Sequence, residues 1–209
     1  MKSDYIDERA FEWLLEMMKE ENAAVLRVSL ETGLRIGDVV GMTLDNLHCD
    51  GSIELTVKKT GKPFRGNISA GLAAFILRKA RRGWCFPSPK GAGHRSRQTV
   101  WRDVKRAADK LHLRQNVTPH TARKIFAVAT FRKSDLETTK NALQHDNTAT
   151  TMLYAMADIL TKNAEKAPKN EEKTVNLGAF WGVFVQYLGG MEKINTALQA
   201  ALTNFLRDA

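Results

Sequence analysis

Apolar and polar residues alternate along this chain with two different periods, and the longer period, that of a helix, is the more frequent. The residues from Ala24 to Leu30 form the second of two apolar segments near the N-terminus. Gly33 follows it and is typical of a helix end. Residues 35–40 then predict another helix or a tight turn. The first stripe has the spacing of one helix face and consists of Phe11, Leu14, Leu15 and Met18.

A period of two residues occurs once, and it predicts a small sheet. Ile53, Leu55 and Val57 alternate with polar residues, residues 58–62 supply a turn, and 64–68 can form the returning strand. Helical patterns dominate afterwards, over 70–80, over 99–111 and from Thr118-Pro119 onward. The expected fold class is therefore mainly α with a small antiparallel β-sheet (α+β).

The composition changes near Thr161. Residues 161–174 are polar, charged and contain a proline, which is typical of a linker. Beyond them the chain has two apolar stripes at helical spacing, so 175–209 is expected to form a C-terminal helical extension. The expected division is a main domain over 1–160, a linker over 161–174 and this extension.

The charge of the chain suggests what kind of partner it binds. The chain has a formal net charge of +9, and residues 1–159 contain 26 basic against 18 acidic side chains. An excess of Lys and Arg in the main domain indicates a polyanion such as nucleic acid. No apolar run is long enough to cross a bilayer, and the acidic, amphipathic N-terminus does not resemble a signal peptide. We expect a cytoplasmic protein with no membrane partner.

Several kinds of catalytic site find no support in the sequence. The five histidines are scattered, and Cys49 and Cys85 have no zinc-finger spacing. A phosphate-cradling glycine loop and a Gly-x-Ser-x-Gly elbow are both missing from the sequence. What remains is an ordered set of residues: His120 and Arg123 on one helix face, then His145, then Tyr154. Singly each has an ordinary structural explanation, but the set is unlike a chance arrangement.

Four segments carry a resemblance to a known family. GLRIGDVVGMTLDNL, VKKTGK, TPHTARKIFA and LQHDNTATTMLYA resemble, in order across residues 33–157, the signature boxes of the tyrosine recombinase (phage integrase) family. The resemblance implies a site-specific recombinase that cleaves and rejoins double-stranded DNA through a 3′-phosphotyrosine, without metal or cofactor. It also implies a homo-oligomer, a dimer or tetramer on DNA, encoded by a bacterium, a phage or a mobile element.

The resemblance assigns a role to each matching position. Two arginines would clamp the phosphate, a lysine on the hairpin would protonate the leaving 5′-hydroxyl, and His120 would act as base, with Asp38 orienting its neighbours. Lys58 and Lys62 compete with Lys59 for the lysine role, and Gln144 replaces the glycine usual before the second histidine. The catalytic set would be Arg35, Lys59, His120, Arg123, His145 and the nucleophile Tyr154.

Basic residues of the hairpin and of the segment after the sheet are expected to contact DNA phosphates. This set consists of Lys58, Lys62, Lys90, His94, Arg95, Arg97, Arg102, Lys105, Arg106 and Lys124. Family members typically carry an N-terminal helical domain before the first box, so a chain that starts near this box is expected to bind DNA weakly.

Two other functions remain open from the sequence, namely DNA relaxation of the type IB topoisomerase kind and a non-catalytic DNA-binding regulator or decoy. The extension over 175–209 could pack in cis or exchange with a neighbouring protomer.

Overall fold

The computed structural model describes residues 3–91, 93–134 and 136–143. This part of the chain is mainly helical with one antiparallel hairpin, so the expected fold class is confirmed. His145, Tyr154, the expected linker over 161–174 and the expected extension over 175–209 lie outside the described residues. The elements are α1 (Glu8–Glu16), α2 (Glu20–Thr32), α3 (Ile36–Val40), β1 (Ser52–Thr56), β2 (Pro63–Asn67), α4 (Ala70–Lys79), α5 (Arg97–Lys110), α6 (His120–Lys133) and α7 (Leu136–Ala142).

Helix α2 is the centre of the described part and packs against α1, α3, α4, α5 and α6. Its sequence explains this position, because small and medium apolar residues occupy all of its sides rather than one stripe. Even its buried polar residues are bonded within the core: Ser29 donates to the carbonyl of Leu34, and Thr32 to that of Val28. The buried apolar side chains of α2 are Ala23, Ala24, Val25, Leu26 and Val28.

Gly33 ends α2, as the sequence predicts, and two features require a glycine there. Its φ is +70°, in the left-handed region that residues with a Cβ adopt at a cost. A Cβ at this position would also lie 2.5 Å from the ring of Phe126 and 3.3 Å from the side chain of Leu143. The close approach brings α6 and the end of α7 against the turn that precedes Arg35.

The hairpin forms where the alternation predicts it, and its register places Ile53 opposite Gly66 and Leu55 opposite Phe64. The returning strand runs over Pro63–Asn67, one residue earlier than predicted at each end. The turn between the strands closes through the carbonyl of Val57, which accepts hydrogen bonds from the amides of Thr60 and Gly61. Among the described residues, no helix is long and apolar enough to cross a membrane.

Candidate active site

Arg35 lies at the start of α3, in extended backbone just after the turn at Gly33. Its side chain is half-buried and lines a shallow, open concavity. The same concavity is lined by Asp38 from α3, Arg123 from α6, and Val57 and Phe64 from the hairpin. Three segments that are far apart in sequence therefore meet around the two arginines.

Arg123 is only 3% exposed, which is unusual for an arginine and requires polar partners. Its Nη1 donates to the carbonyl oxygen of Gly33, and its Nη2 donates to that of Leu143 at 2.5 Å. Arg123 is buried because α6 is covered on most of its sides. The two bonds fix the guanidinium between the turn before Arg35 and the residue that precedes Gln144 and His145.

His120 is the first residue of α6, one turn before Arg123. Burial lowers the pKa of the imidazole to about 4, and the positive charges of Arg123, Lys124 and Arg35 lower it further in the same direction. The residue is nevertheless exposed to solvent, so the direction of this shift is firmer than its size. The imidazole is therefore neutral at pH 7 and able to accept a proton, and a bound phosphate would raise its pKa by supplying negative charge.

Asp38 joins the hairpin to α3. Its carboxylate is 5% exposed and accepts a hydrogen bond from the backbone N–H of Lys58 at 3.0 Å. The ammonium of Lys58 also turns back toward α3, since a Cβ added at Gly41 would lie 2.5 Å from Nζ. Lys58, Lys59 and Lys62 are all exposed. The structure thus gives Asp38 an orienting contact and places the ammonium of Lys58 beside Gly41, at the end of α3.

Most of the expected DNA-contacting residues lie at the surface of the described part. The exposed ones are Lys58, Lys62, Lys90, Arg97, Arg102 and Arg106, and the half-buried ones are His94, Lys105 and Lys124. Several of these side chains are already bonded: Lys105 Nζ donates to Asn116 Oδ1 at 2.5 Å, Lys124 Nζ donates to the carbonyl of Ser3, Arg102 Nε donates to the carbonyl of Gln98 at 3.4 Å, and His94 Nδ1 lies 2.8 Å from the carbonyl of Arg95.

Arg95 does not belong to that surface, and its placement corrects the expectation from the sequence. It is 6% exposed, and its Nη1 donates to Asn22 Oδ1 at 2.8 Å. Asn22 in turn donates to Asp103 Oδ2 at 2.6 Å. Because a buried guanidinium needs partners inside the protein, Arg95 holds the segment before α5 against α2 and is unavailable to DNA.

Arg106 is engaged in the same cluster, but 42% of its side chain is exposed, so it remains a candidate DNA contact. Its Nε donates to Asp103 Oδ1 at 2.9 Å, and its Nη2 to the same oxygen and to the carbonyl of Met17. A signal in the sequence could have indicated this. Asp103 falls at helical spacing from Val100 and Ala107, on the buried side of α5, and Arg106 follows it by three residues.

Arg35 and Arg123 line one concavity together with residues of the hairpin, and His120 lies close enough to feel the charge of both arginines. Such an arrangement is suited to binding a phosphodiester. Comparison with known sequences gives the family: residues 4–159 match the phage integrase family, and the chain belongs to it. In the described residues, no group of three His, Cys, Asp or Glu side chains could hold a metal ion.

Curated relatives agree with this membership. The tyrosine recombinase XerD of Lacticaseibacillus casei is 30% identical over 142 residues, covering 63% of this chain and 48% of the relative. The tyrosine recombinase XerD of Mycobacterium tuberculosis (strain H37Rv) is 30% identical over 151 residues, covering 66% and 48%. The chain thus spans about half the length of the curated relatives that it matches.

Solved structures show the same fold. The XerA recombinase superimposes with a TM-score of 0.63 at 20% identity, over 79% of this chain and 64% of that one. The catalytic domain of bacteriophage HP1 integrase gives 0.59 at 19% identity, over 81% and 98%. A lambda integrase dimer bound to a COC′ core site gives 0.63 at 16% identity, over 74% and 48%.

Proposed function

We propose that this chain is the catalytic domain of a site-specific DNA recombinase that cleaves and rejoins strands through a 3′-phosphotyrosine at Tyr154. The observation that carries the proposal is the meeting of Arg35 and Arg123 at one concavity beside His120. Membership of the phage integrase family supports it.

The two arginines would stabilise the transition state. Attack on a phosphodiester concentrates negative charge on the non-bridging oxygens, and guanidinium groups offer permanently charged, forked donors for them. We expect each arginine to contribute roughly 3 kcal/mol of transition-state stabilisation, by analogy with the loss of one oxyanion-hole donor. The bonds from Arg123 to the carbonyls of Gly33 and Leu143 support this role, because a fixed donor needs no reorganisation during the reaction.

The nucleophile and its base come from different segments. The phenol of a tyrosine has an unperturbed pKa of about 10, so Tyr154 needs a base to take its proton. His120 is neutral at pH 7 and is the proposed base. His145 is proposed to bond to the scissile phosphate. The bond formed joins Tyr154 Oη to phosphorus, and the bond broken releases the 5′-oxygen of the next nucleotide.

The leaving oxygen needs a proton, and Lys59 is the proposed donor. The bond from the Lys58 amide to Asp38 and the approach of the Lys58 ammonium to Gly41 support this choice, since they direct Lys58 toward α3. Lys59 follows it on the exposed turn. Lys62 lies on the same turn and is the remaining alternative as proton donor. Substitution of each lysine distinguishes the two.

Assembly on DNA is a further part of the proposal. A structural neighbour is a lambda integrase dimer on its core site, which supports a homo-oligomer, dimer or tetramer, on double-stranded DNA for this chain. We propose that the segment over 175–209 packs either in cis or on a neighbouring protomer, and that the protein acts in the cytoplasm, where its DNA substrate is found.

Covalent trapping tests the proposed chemistry. The full chain is mixed with a pool of duplexes of randomised sequence, each nicked so that cleavage releases a short fragment and traps the adduct. We expect a denaturant-resistant protein–DNA adduct, with DNA attached to the peptide that contains Tyr154 in mass spectrometry. Tyr154→Phe should abolish the adduct, and the matched control Tyr5→Phe should retain it.

DNA binding without any adduct, or an adduct that survives in Tyr154→Phe, would contradict the proposal. The adduct-forming sequences then provide sites for a second assay. Exchange of strands between two such sites identifies a recombinase, whereas relaxation of supercoiled DNA without exchange identifies a topoisomerase.

A further inference from the structure

The turn between α2 and α3 leads into Arg35, and two hydroxyl groups of α2 are bonded to it. Ser29 Oγ donates to the carbonyl oxygen of Leu34 at 2.7 Å, and Thr32 Oγ1 accepts from the amide of Leu34 at 3.2 Å. Leu34 is the residue immediately before Arg35. Side chains of α2 therefore satisfy both backbone polar groups of the residue that precedes the first arginine of the concavity.

These hydroxyl groups and the turn are deeply buried. Ser29 is 1% exposed, Leu34 3% and Thr32 5%. At such a depth a backbone group or a hydroxyl group costs free energy unless it is hydrogen-bonded. The hydroxyl of Thr32 also donates to the carbonyl of Val28, one turn earlier in α2, at 2.6 Å. This donation fixes the orientation in which the Thr32 oxygen accepts from Leu34.

Leu34 lies between two residues whose carbonyl groups are also held. The carbonyl of Gly33 accepts from Arg123 Nη1, and that of Arg35 accepts from two amides of α3 at 2.8 and 3.1 Å. Three successive residues of the turn are thus fixed by hydrogen bonds, which gives the side chain of Arg35 a defined starting direction. A charged donor that is already in place needs no reorganisation when negative charge develops on a phosphate.

We propose that Ser29 and Thr32 are positioning residues of the reaction, which act through the backbone of Leu34 to hold Arg35 at the scissile phosphate. The inference rests on the proposed function, since Arg35 has a phosphate to stabilise only if the chain cleaves DNA. In the described part of the chain, neither hydroxyl residue lines the concavity, so their effect reaches the substrate through Leu34 and Arg35.

The test compares the rate of adduct formation on bound DNA with the affinity for the same DNA. The full chain is used in excess over a nicked duplex that forms the adduct, so the two quantities are measured separately. Thr32→Val keeps the shape of the side chain and removes the hydroxyl. The rate should fall about tenfold, within the loss of up to about 10² that a displacement of about 1 Å causes. The dissociation constant should change less than about twofold because the other phosphate contacts remain. Ser29→Ala should act in the same direction.

Two variants separate positioning from a loss of stability. Thr32→Ser keeps the hydroxyl and should restore the rate to within about twofold of the natural chain. Val25→Ala opens a cavity in the same helix, at a residue that is 0% exposed and about 12 Å along the axis from Gly33. It should lower stability in urea denaturation at least as much as Thr32→Val does, and leave the rate unchanged.

A double substitution tests whether Thr32 acts through Arg35. Arg35→Gln alone slows adduct formation. Adding Thr32→Val should slow it by less than about twofold more, because the group that is positioned is no longer there. Independent effects would instead multiply and slow the reaction about tenfold further.

The proposal is overturned if Thr32→Val forms the adduct at the natural rate, if Thr32→Ser is as slow as Thr32→Val, or if the double variant loses the further tenfold. Failure of the proposed function is distinguishable, because the natural chain would then form no adduct. In that case the order parameter of the Arg35 backbone amide, from NMR relaxation, tests the positioning. Thr32→Val should lower this order parameter and Val25→Ala should not, and a value that Thr32→Val leaves unchanged overturns the proposal.

Discussion

Arg123 on α6 donates a hydrogen bond from Nη1 to the carbonyl oxygen of Gly33, where α2 ends. Arg35 follows two residues after Gly33, so the bond links the second arginine of the concavity to the turn that holds the first. The other Nη group of Arg123 reaches the carbonyl of Leu143. The geometry of the two arginines therefore depends on one short turn, and changes at this turn should affect folding and catalysis together.

The first prediction concerns this turn. Gly33→Ala forces a Cβ to within 2.5 Å of the ring of Phe126 at a residue whose φ is +70°. We expect the free energy of unfolding to fall by roughly 2–4 kcal/mol, from the left-handed backbone and the overpacking together. Urea denaturation measures this change.

Gly71→Ala is the matched control for the turn. Gly71 lies in α4 with nothing within 4 Å of an added Cβ, so its replacement should leave stability unchanged or slightly raised. Equal effects of the two substitutions would show that the packing around Gly33 has room for a Cβ.

The second prediction concerns the buried carboxylate of α5. Burial would raise the pKa of Asp103, but hydrogen bonds from Asn22, Arg106 and the amide of Lys19 outweigh it and hold the pKa below its usual value. Asp103→Asn removes the charge that balances Arg95 and Arg106. We expect a loss of roughly 2–4 kcal/mol in unfolding free energy at pH 7, whereas the exposed Asp109→Asn should change it by less than about 0.5 kcal/mol.

The pH dependence of this loss has a definite sign. A carboxylate with a lowered folded pKa contributes stability above its unfolded pKa, about 3.9, and that contribution disappears as the pH falls through the folded value. The stability difference between the natural chain and Asp103→Asn should therefore shrink on acidification from about pH 5 downward. A difference that stays constant across this range would argue against the charged cluster.

The contacts of Arg95 and Arg106 also show how much of the structure can be predicted from the sequence. Local patterns predicted the hairpin and α4 to within about one residue, because a period of two and a helical stripe depend only on neighbouring residues. Helix α5 begins at Arg97, two residues before the predicted start, since the hydroxyl of Ser96 caps it by accepting from the amide of Thr99. Arg95 finds its partner on α2, and no local pattern could indicate that contact.

The residues of the candidate site were predicted partly from spacing and partly from the family resemblance. The spacing of His120 and Arg123 predicted a shared helix face, but only the family resemblance associated them with Arg35 and Lys59. The bonds from Arg123 to Gly33 and Leu143 join residues distant in sequence, and they depend on how α2, α6 and α7 pack. Tertiary packing of this kind also buried Arg123, which a lone helical pattern would have placed at the surface.

The third prediction concerns His120. Burial, followed by the charges of Arg123, Lys124 and Arg35, lowers its pKa to about 4 in the free protein. Arg35→Gln removes one of these charges, so the pKa should rise toward the ordinary value, and addition of duplex DNA to the natural chain should raise it as well. Titration of the imidazole followed by NMR measures both shifts. A pKa that neither change moves would mean that His120 does not face the phosphate site.

The fourth prediction concerns the lysines of the hairpin. Lys59→Ala should slow adduct formation by roughly 10²–10⁴-fold, the usual contribution of a general acid, whereas Lys58→Ala should retain most of the rate because its ammonium lies toward α3. A substrate with sulfur in place of the 5′-bridging oxygen has a leaving group that departs as a thiolate without a proton. It should restore the rate of Lys59→Ala and leave the defect of Arg35→Gln in place, since the arginine acts on the non-bridging oxygens. If the sulfur substrate instead rescues Lys62→Ala and not Lys59→Ala, Lys62 is the proton donor.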